Sequence, residues 1–275
     1  MKQKKVTVFS TISMILLSLI TVVFVFPFYW VITGSFKDQK VTIQLPPEWF
    51  PMHPTLDNYT LLFKNPAWQW FFNSVFVALM TMALVCLVST AAGYVLAKKR
   101  FYGGKLLFSL FVAAMALPKQ LVLVPLVQQA SSMGLHNNLW AAILPAVGWP
   151  FGIFLMKQFS ETIPGELLEA AKIDGCSELR TFSRIVIPMV KPGIAALAIF
   201  TFIQAWNDYF LQLIMLSSRE KLTLQIGIAT MQAEFATNYG VLMAGATLSA
   251  IPIVLVFILF QKSFTQGITM GAVKG

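Results

Sequence analysis

The residues best able to do chemistry in this sequence are polar groups set inside long apolar stretches. Most of them are nearly consecutive, and a lone cation lies upstream: Gln204, Trp206, Asn207, Asp208, Tyr209 and Lys119. Amides and carboxylates can hydrogen-bond a polar solute, while an aromatic ring can cover its apolar face. Because polar groups are costly in hydrocarbon, we expect these side chains to face a bundle interior or a watery cavity. Hydrogen bonding between helices is the alternative.

Motifs for catalysis, nucleotide binding and metal binding do not occur in the sequence. GxSxG and HExxH are absent, and GGKL at 103–106 lacks the first Gly and the Ser or Thr of a P-loop. His53 and His136 are isolated, and Cys86 and Cys176 lie in segments where no disulfide between them is expected. We therefore predict no catalytic residue, no metal site and no cofactor bound by this chain.

The elements that carry the polar groups are predicted from composition. The chain of 275 residues is 57% hydrophobic and 11% charged, with a mean hydropathy of +0.73, far from the range of soluble domains. Its apolar stretches reach the roughly 20 residues that a helix needs to cross a bilayer. This predicts an all-α, polytopic protein with six transmembrane helices in a single domain, 1–275. The spans are expected at about 6–32, 71–97, 106–130, 139–156, 193–216 and 241–260.

The basic residues predict the orientation of these spans. Most of the 20 Lys and Arg residues fall in the segments on the same side as the N-terminus, including Lys2, the Lys98–Arg100 run and Arg184. By the positive-inside rule, both termini are cytoplasmic. Anionic lipid is sufficient to explain the net charge of +9, so no nucleic-acid partner is required.

The segment 161–191 interrupts the apolar pattern with an amphipathic, largely polar stretch. Pro164 suits the first turn of a short helix that Gly175 would end, and Ser177 is a good N-cap for a second helix. The neighbouring alanines Ala170 and Ala171 predict a flat face for docking into the groove of a cytoplasmic partner. A helix lying on lipid is the alternative, but it would carry a Lys- or Arg-rich polar face, whereas the first helix has three acids and only one lysine, Lys172.

This segment resembles the EAA motif of ABC importer permeases. The resemblance is carried by Glu169, Ala170, Ala171, Asp174 and Gly175, followed by Phe182, Ile185, Pro188 and Pro192. In that family the motif forms a coupling helix that sits in a cleft of the cytoplasmic ATPase. The resemblance therefore implies that 161–191 couples ATP hydrolysis to the membrane helices.

The resemblance extends over nearly the whole chain and is closest to carbohydrate-uptake permeases of the maltose type. It is carried by TLDNYTLLF at 55–63, FNSVFVA at 72–78, the 123–145 stretch, WNDYFLQLIML from 206, and the C-terminal GAVKG. It implies the type I ABC importer permease fold in a prokaryotic cell membrane. It also implies that the tail reaches the ATPase through Gly271, Ala272, Val273, Lys274 and Gly275, with a frayed terminus as the alternative.

The resemblance also implies the partners. These are a second homologous permease, a cytoplasmic ABC ATPase dimer that binds ATP and Mg, and an extracytoplasmic sugar-binding protein, all around a lipid bilayer. The outer loop 33–70, stiffened by five prolines, and the loop near 131–138 are expected to contact the binding protein. The chain itself is then a transport subunit for a sugar or oligosaccharide and not an enzyme.

Lys119 departs from the family pattern, which more often has a small or uncharged residue there. Counted along continuous helices, Lys119 and Asp208 lie at similar depths, so we expect them to line one cavity and to pair in one conformation. The alternative is that Asp208 bonds locally while Lys119 extends toward the interface. An ion-coupled secondary carrier using Lys119 and Asp208, and a membrane scaffold, remain as other functions. The sequence leaves open whether this subunit or its partner contacts the sugar.

Overall fold

The computed structural model describes residues 8–234 and 238–272, and all regular secondary structure in these ranges is helical. Besides the α-helices there are 3-10 turns at Lys119–Val122 and Arg219–Lys221 and a π-helical turn at Phe182–Val186. The α-helices are α1 Val8–Ser35, α2 Gln39–Thr42, α3 Asp57–Lys64, α4 Ala67–Lys98, α5 Gly104–Ala114, α6 Leu123–Ser132, α7 Leu139–Val147, α8 Pro150–Glu161, α9 Gly165–Ile173, α10 Glu178–Thr181, α11 Ile187–Met189, α12 Lys191–Trp206, α13 Tyr209–Met215, α14 Leu224–Glu234 and α15 Tyr239–Ala272.

Three unbroken stretches of the described chain are long and apolar enough to cross a membrane, namely Phe9–Ser35, Ala67–Lys98 and Tyr239–Phe260. Three pairs of helices meet the same test together but are bent at a short break. The bends are 103° between α5 and the Lys119–Ser132 stretch, 43° between α7 and α8, and 76° between Glu178–Met189 and α12. The chain therefore has six candidate spans if each bent pair crosses the membrane as one.

The structure corrects the expectation of continuous helices within the predicted spans. The helix predicted over 106–130 ends at Ala114, because Pro118 lacks the N–H that a continuing helix would need. The helix predicted over 139–156 breaks at Gly148 and Trp149, directly before Pro150. In the predicted span 193–216, α12 ends at Trp206 and α13 begins at Tyr209.

The chain divides into two compact units. The first comprises Met1–Ala67 and Ile228–Ile251. In it the buried amide of Asn58 donates hydrogen bonds to the carbonyls of Ser35 (2.9 Å) and Lys37 (2.7 Å). Gly240 packs so closely on Asn58 that a Cβ would clash. These contacts tie the turn after α1 to α3.

The second unit comprises Trp68–Gly227 and Pro252–Gly275. Within it, α4 packs closely against α8. A Cβ on Gly93 would lie 2.6 Å from the backbone nitrogen of Lys157, so only glycine allows α4 to approach α8 this closely. Near the N-terminal end of α4, Trp70 donates its indole N–H to the carbonyl of Arg219 at 2.6 Å. An apolar cluster that includes Tyr94, Met156 and Val186 fills the same unit.

Candidate functional site

Three breaks in helices meet at one cavity of about 300 Å³ in the second unit. The breaks lie between α5 and Lys119, between α7 and α8, and between α12 and α13. Backbone that is not helical is tolerated at membrane depth only where it is buried in protein or lines a cavity. The lining residues are Thr81, Val85, Met115, Lys119, Ala146, Trp149, Phe151, Gly152, Leu197, Phe200, Thr201, Gln204, Ala205 and Asp208.

Lys119 and Asp208 both line this cavity, and both also line a smaller adjoining cavity of about 80 Å³. The Lys119 ammonium lies 4.6 Å from the centroid of the Trp149 ring. Within the described residues, neither charge takes part in an ion pair. Asp208 instead caps α13, its Oδ1 accepting a hydrogen bond of 3.3 Å from the Leu211 N–H. The two charges thus face one cavity, and pairing between them stays a prediction.

The route to the shared cavity differs from the one predicted. Depths counted at one helical rise per residue do not apply to Lys119, because α5 stops before it and the chain turns by 103°. Asp208 likewise lies in the break after α12 and not inside a helix. The positions of both charges are therefore set by the helix breaks beside them, and not by their depth along a continuous helix.

The cavity face of α12 follows the helical period. Thr201, Gln204 and Ala205 are spaced i, i+3 and i+4, so they share one face of α12, and Asp208 joins them from the break that follows the helix. Trp206 falls on another face, where it is only 1% exposed and packs against Phe71 and Phe202. Its predicted place beside the solute is therefore corrected, and the cavity takes its aromatic rings from Trp149, Phe151 and Phe200.

Asn207 and Tyr209 are also absent from the cavity lining. Asn207 donates its side-chain amide to the Ile203 carbonyl at 3.0 Å, one turn back along α12. Tyr209 is partly exposed at the start of α13, with its ring against Phe210. Of the six polar residues predicted for a substrate path, the structure brings together Lys119, Gln204 and Asp208.

Thr81 is a lining residue that sequence reasoning missed. Its side chain is 1% exposed, and its hydroxyl has no hydrogen-bond partner in the described structure. A buried hydroxyl without a partner is costly, so this group is suited to bond a molecule inside the cavity. No sequence signal distinguishes Thr81 from other threonines of apolar helices; only its position in the fold does.

The second candidate site is the 161–191 segment, whose local structure agrees with its predicted signals. Gly175 has a φ of +72° and ends α9, and Ser177 is the N-cap of α10, accepting from the Arg180 N–H at 3.4 Å. Phe182 packs its ring 5.7 Å from that of Tyr94 on α4. The segment thus forms two short helical stretches that pack against α4 within the second unit.

Burial divides the predicted motif into a packed side and a free side. Ala171 is only 4% exposed because it packs within this chain, which corrects its assignment to a docking face. Glu169, Ala170, Asp174 and Gly175 are exposed. So are the apolar side chains of Leu167, Ile173 and Leu179, and Ile173 is 86% exposed. Ile173 and Leu179 were missed because single apolar residues in a polar stretch carry no signal by themselves.

The C-terminal prediction falls largely outside the described residues. Gly271 and Ala272 form the end of α15, while Val273, Lys274 and Gly275 lie beyond the described range. Among the described residues, no group of His, Cys, Asp or Glu is arranged to hold a metal ion. The candidate functional sites within the described residues are therefore the cavity and the 161–191 segment.

The family model for the binding-protein-dependent transport system inner membrane component matches residues 89–270. The arabinooligosaccharides transport system permease protein AraQ of Halalkalibacterium halodurans is 35% identical over the full length of both chains. The galactooligosaccharides transport system permease protein GanQ of Bacillus subtilis is 34% identical, over 96% of this chain and 95% of its own. The sulfoquinovosyl glycerol transport system permease protein SmoH of Agrobacterium fabrum is also 34% identical, over 91% of this chain and 89% of its own.

The fold has a close counterpart among solved structures. A chain of a bacterial ABC transporter involved in the import of the acidic polysaccharide alginate matches with a TM-score of 0.83 and 22% identity, over 96% of this chain and 99% of its own. A second match, with a TM-score of 0.64, comes from an alginate transporter in complex with a pentasaccharide-bound periplasmic protein. The chain is therefore a multi-pass membrane protein with the type I importer fold, and it belongs to the binding-protein-dependent inner membrane component family, the permease subunits of ABC importers.

Proposed function

We propose that this chain forms half of the translocation path of an ATP-driven importer for oligosaccharides. Its relatives named after arabinooligosaccharides, galactooligosaccharides and diacetylchitobiose support this substrate class. As the family implies, a second permease completes the path and a separate ATPase dimer binds ATP and Mg. An ion-coupled carrier is not supported, because the family depends on binding proteins and the chain's two candidate relay charges are unpaired in the described structure.

The observation that carries the proposal is the cavity where three helix breaks meet. Transporters commonly build substrate sites from discontinuous helices, since a break frees polar backbone and fixes side chains at membrane depth. Sugars need hydroxyl hydrogen bonds together with a flat apolar surface. Gln204, Asp208 and Thr81 offer hydrogen-bonding groups, and Trp149, Phe151 and Phe200 offer aromatic rings.

The 161–191 segment is the proposed contact with the ATPase, which puts it and both termini in the cytoplasm. Its free side presents Leu167, Ala170 and Ile173 on α9 and Leu179 on α10, with acidic groups beside them. An exposed apolar strip on a short helix fits docking into a groove of a partner protein. Glu169, Asp174 and Gly175 belong to this contact, and residues 271–275 are proposed to add to it.

The extracytoplasmic sugar-binding protein is proposed to dock at two loops on the other side. One is the turn-rich stretch after α1, which carries α2 and α3. The other is the loop after α6, where Asn137 adopts a φ of 59° and accepts hydrogen bonds from the backbone of Ser217 and Ser218. A loop fixed in this way offers a preformed surface, which lowers the entropic cost of binding.

The function is tested by reconstituting the chain with its partner permease, the ATPase and the binding protein in proteoliposomes. We expect ATP-dependent uptake of one of three labelled probes: arabinotriose, galactotriose or diacetylchitobiose. Gln204→Met should lower that uptake about three- to tenfold, as expected for losing one neutral hydrogen bond. Gln69→Met is the matched control, because Gln69 is exposed on α4 and lines neither of the two cavities that contain Lys119 and Asp208. Equal uptake by both variants would contradict the cavity as the path, and ATP-independent uptake would contradict the importer.

A further inference from the structure

Two adjacent lysines at the C-terminal end of α4 hold the chain on both sides of α9. The Lys98 ammonium donates hydrogen bonds to the carbonyls of Glu161 (3.1 Å) and Ile163 (2.6 Å), just before α9 begins. The Lys99 ammonium lies 2.6 Å from Glu178 Oε1, just after α9 ends. Both flanks of α9, in the coupling segment proposed above, are therefore bonded to the same end of α4.

The chemistry of each contact suits its place. The last carbonyls of α8 have no partner within their own helix, and a cation at a helix C-terminus is favoured by the helix dipole. Glu178 lies in the first turn of α10, where an acid is favoured for the same reason. The hydrogen bond to Glu178 raises the pKa of Lys99 above its ordinary value of 10.5, and the Lys99 ammonium also lies 5.5 Å from the Tyr94 ring centroid. Lys99 thus stays charged at neutral pH.

The same helix reaches the cavity without a break. Towards its N-terminus from Lys98, α4 carries Gly93, which packs on the backbone of α8, and Ser89, which packs on Gly152. One to two turns further, Val85 and Thr81 line the cavity. Since α4 runs unbroken from Ala67 to Lys98, a displacement at its lysine end is carried to its cavity residues. The helix α4 thus both lines the cavity and ends at the lysines that make polar contacts to both flanks of α9.

We propose that Lys98 and Lys99 are positioning residues that clamp the coupling helix α9 to α4, so that movement of α9 by the ATPase displaces Val85 and Thr81 in the cavity. This inference rests on the proposed function for its ATPase, but the clamp itself concerns only this chain. The lysines act through α9 and α4 and contact no sugar.

Global stability is not the expected role of the clamp. The side chains of Lys99 and Glu178 are 40% and 73% exposed, and exposed ion pairs contribute little to unfolding free energy. The variant Lys98→Gln/Lys99→Gln should therefore fold and assemble. What it should lose is the polar attachment of α9 to α4, which the apolar contacts of Ile163 and Phe182 with the cluster around Tyr94 do not replace.

The first test measures hydrogen exchange in the purified, assembled importer. In Lys98→Gln/Lys99→Gln, amides of peptides covering 165–173 should exchange about tenfold faster or more, while peptides from α12 are unchanged. Lys105→Gln is the matched control, a nearby exposed lysine of α5 with no ion pair in the described structure. Unchanged exchange in 165–173 would overturn the clamp.

The second test measures sugar molecules transported per ATP hydrolysed in proteoliposomes, with the probe that the parent importer takes up best. The double variant should lower this ratio about fivefold or more, the lower range for energetic coupling between two sites. Exchanging the charges, Lys99→Glu with Glu178→Lys, should recover much of the ratio that Lys99→Glu alone loses. Faster exchange with an unchanged ratio would overturn the transmission through α4. A parent importer without ATP-dependent uptake would instead overturn the proposed function, and the exchange result would still decide the clamp.

Discussion

Two regions of the molecule contain the same local contact, a lysine ammonium over a tryptophan ring, in opposite surroundings. Lys37 lies 4.5 Å from the centroid of the Trp30 ring, and Lys119 lies 4.6 Å from that of Trp149. Lys37 is 2% exposed and also donates a hydrogen bond to the Glu48 carbonyl. Lys119 faces a cavity and has no ion pair in the described structure.

The difference lies in the groups around each pair. Near Lys37 the polar groups are satisfied: Asn58 donates to two carbonyls, and the Tyr29 hydroxyl donates to the Trp49 carbonyl at 2.8 Å. Near Lys119 the Thr81 hydroxyl has no partner in the described structure. A cation–π contact by itself therefore does not mark a functional residue. We infer that unused hydrogen-bonding capacity beside a cavity is the more specific indication, because a ligand in the cavity can use it.

The largest expected effect comes from replacing the lysine at the cavity. Lys119→Met should lower ATP-dependent sugar uptake about tenfold or more, since a hydrogen bond to a charged group contributes about 1.5–3 kcal/mol. Thermal unfolding in detergent should change little, because Lys119 bonds no other described residue through an ion pair. Uptake assays and tryptophan-fluorescence melts on the same preparation give both values. Normal uptake would show that Lys119 does not belong to the path.

Replacing the buried lysine should give the reverse result. Lys37→Met leaves the Glu48 carbonyl without its donor, so we expect a loss of about 1–3 kcal/mol of unfolding free energy. Uptake per correctly folded molecule should be unchanged. Lys105→Met, at an exposed position on α5 outside both proposed docking loops, is the control and should affect neither quantity. A Lys37→Met protein with parental stability but impaired uptake would reverse the roles assigned to the two lysines.

The sequence predicted the helical class, the family and the two short helices of 161–191 because these depend on local patterns. The apolar runs, Gly175 and Ser177 each act through the chain's own nearby residues, and the structure confirms the left-handed glycine and the N-cap. Pro118 and Pro150 were also visible as helix breakers. The length of an apolar run nevertheless outweighed them in the prediction, so the breaks that build the cavity were missed.

Which side chains share the cavity could not be predicted, because that depends on how separate helices pack. Trp206 and Gln204 are two residues apart, and period 3.6 puts them on different faces, but the sequence does not say which face is inward. Trp149 and Thr81 carry no polar neighbours that would single them out. The burial of Ala171 is similar, since adjacent alanines cannot show which one packs on the bundle.

A smaller expected effect is the pH dependence of the stability that Lys37 contributes. Burial lowers the pKa of Lys37 below its ordinary value of 10.5, outweighing the opposing charge of Glu48. Between that lowered pKa and 10.5 the unfolded chain binds more protons than the folded one, so this group makes stability rise with pH. The melting temperature of the parent minus that of Lys37→Met should therefore increase as pH rises towards 10.5. A flat or falling difference would contradict the direction of the shift.

The smallest effect compares one threonine from each region. The Thr33 hydroxyl donates to the Tyr29 carbonyl at 2.8 Å, whereas the Thr81 hydroxyl has no partner in the described structure. Thr33→Val should cost about 0.5–1 kcal/mol of unfolding free energy and leave uptake unchanged, since only an internal hydrogen bond is lost. Thr81→Val removes an unpaired group, so its stability should equal or slightly exceed that of the parent.

Uptake gives the second half of this comparison. If the Thr81 hydroxyl bonds the sugar, Thr81→Val should lower uptake about two- to tenfold, the range for a neutral hydrogen bond of 0.5–1.5 kcal/mol. Melting and initial uptake rates measured in parallel separate the two threonines, because each variant is expected to affect only one quantity. Should Thr81→Val lose stability as Thr33→Val does and transport normally, its hydroxyl has an internal partner. The cavity would then lack the unused hydrogen-bonding group that distinguishes the surroundings of Lys119 from those of Lys37.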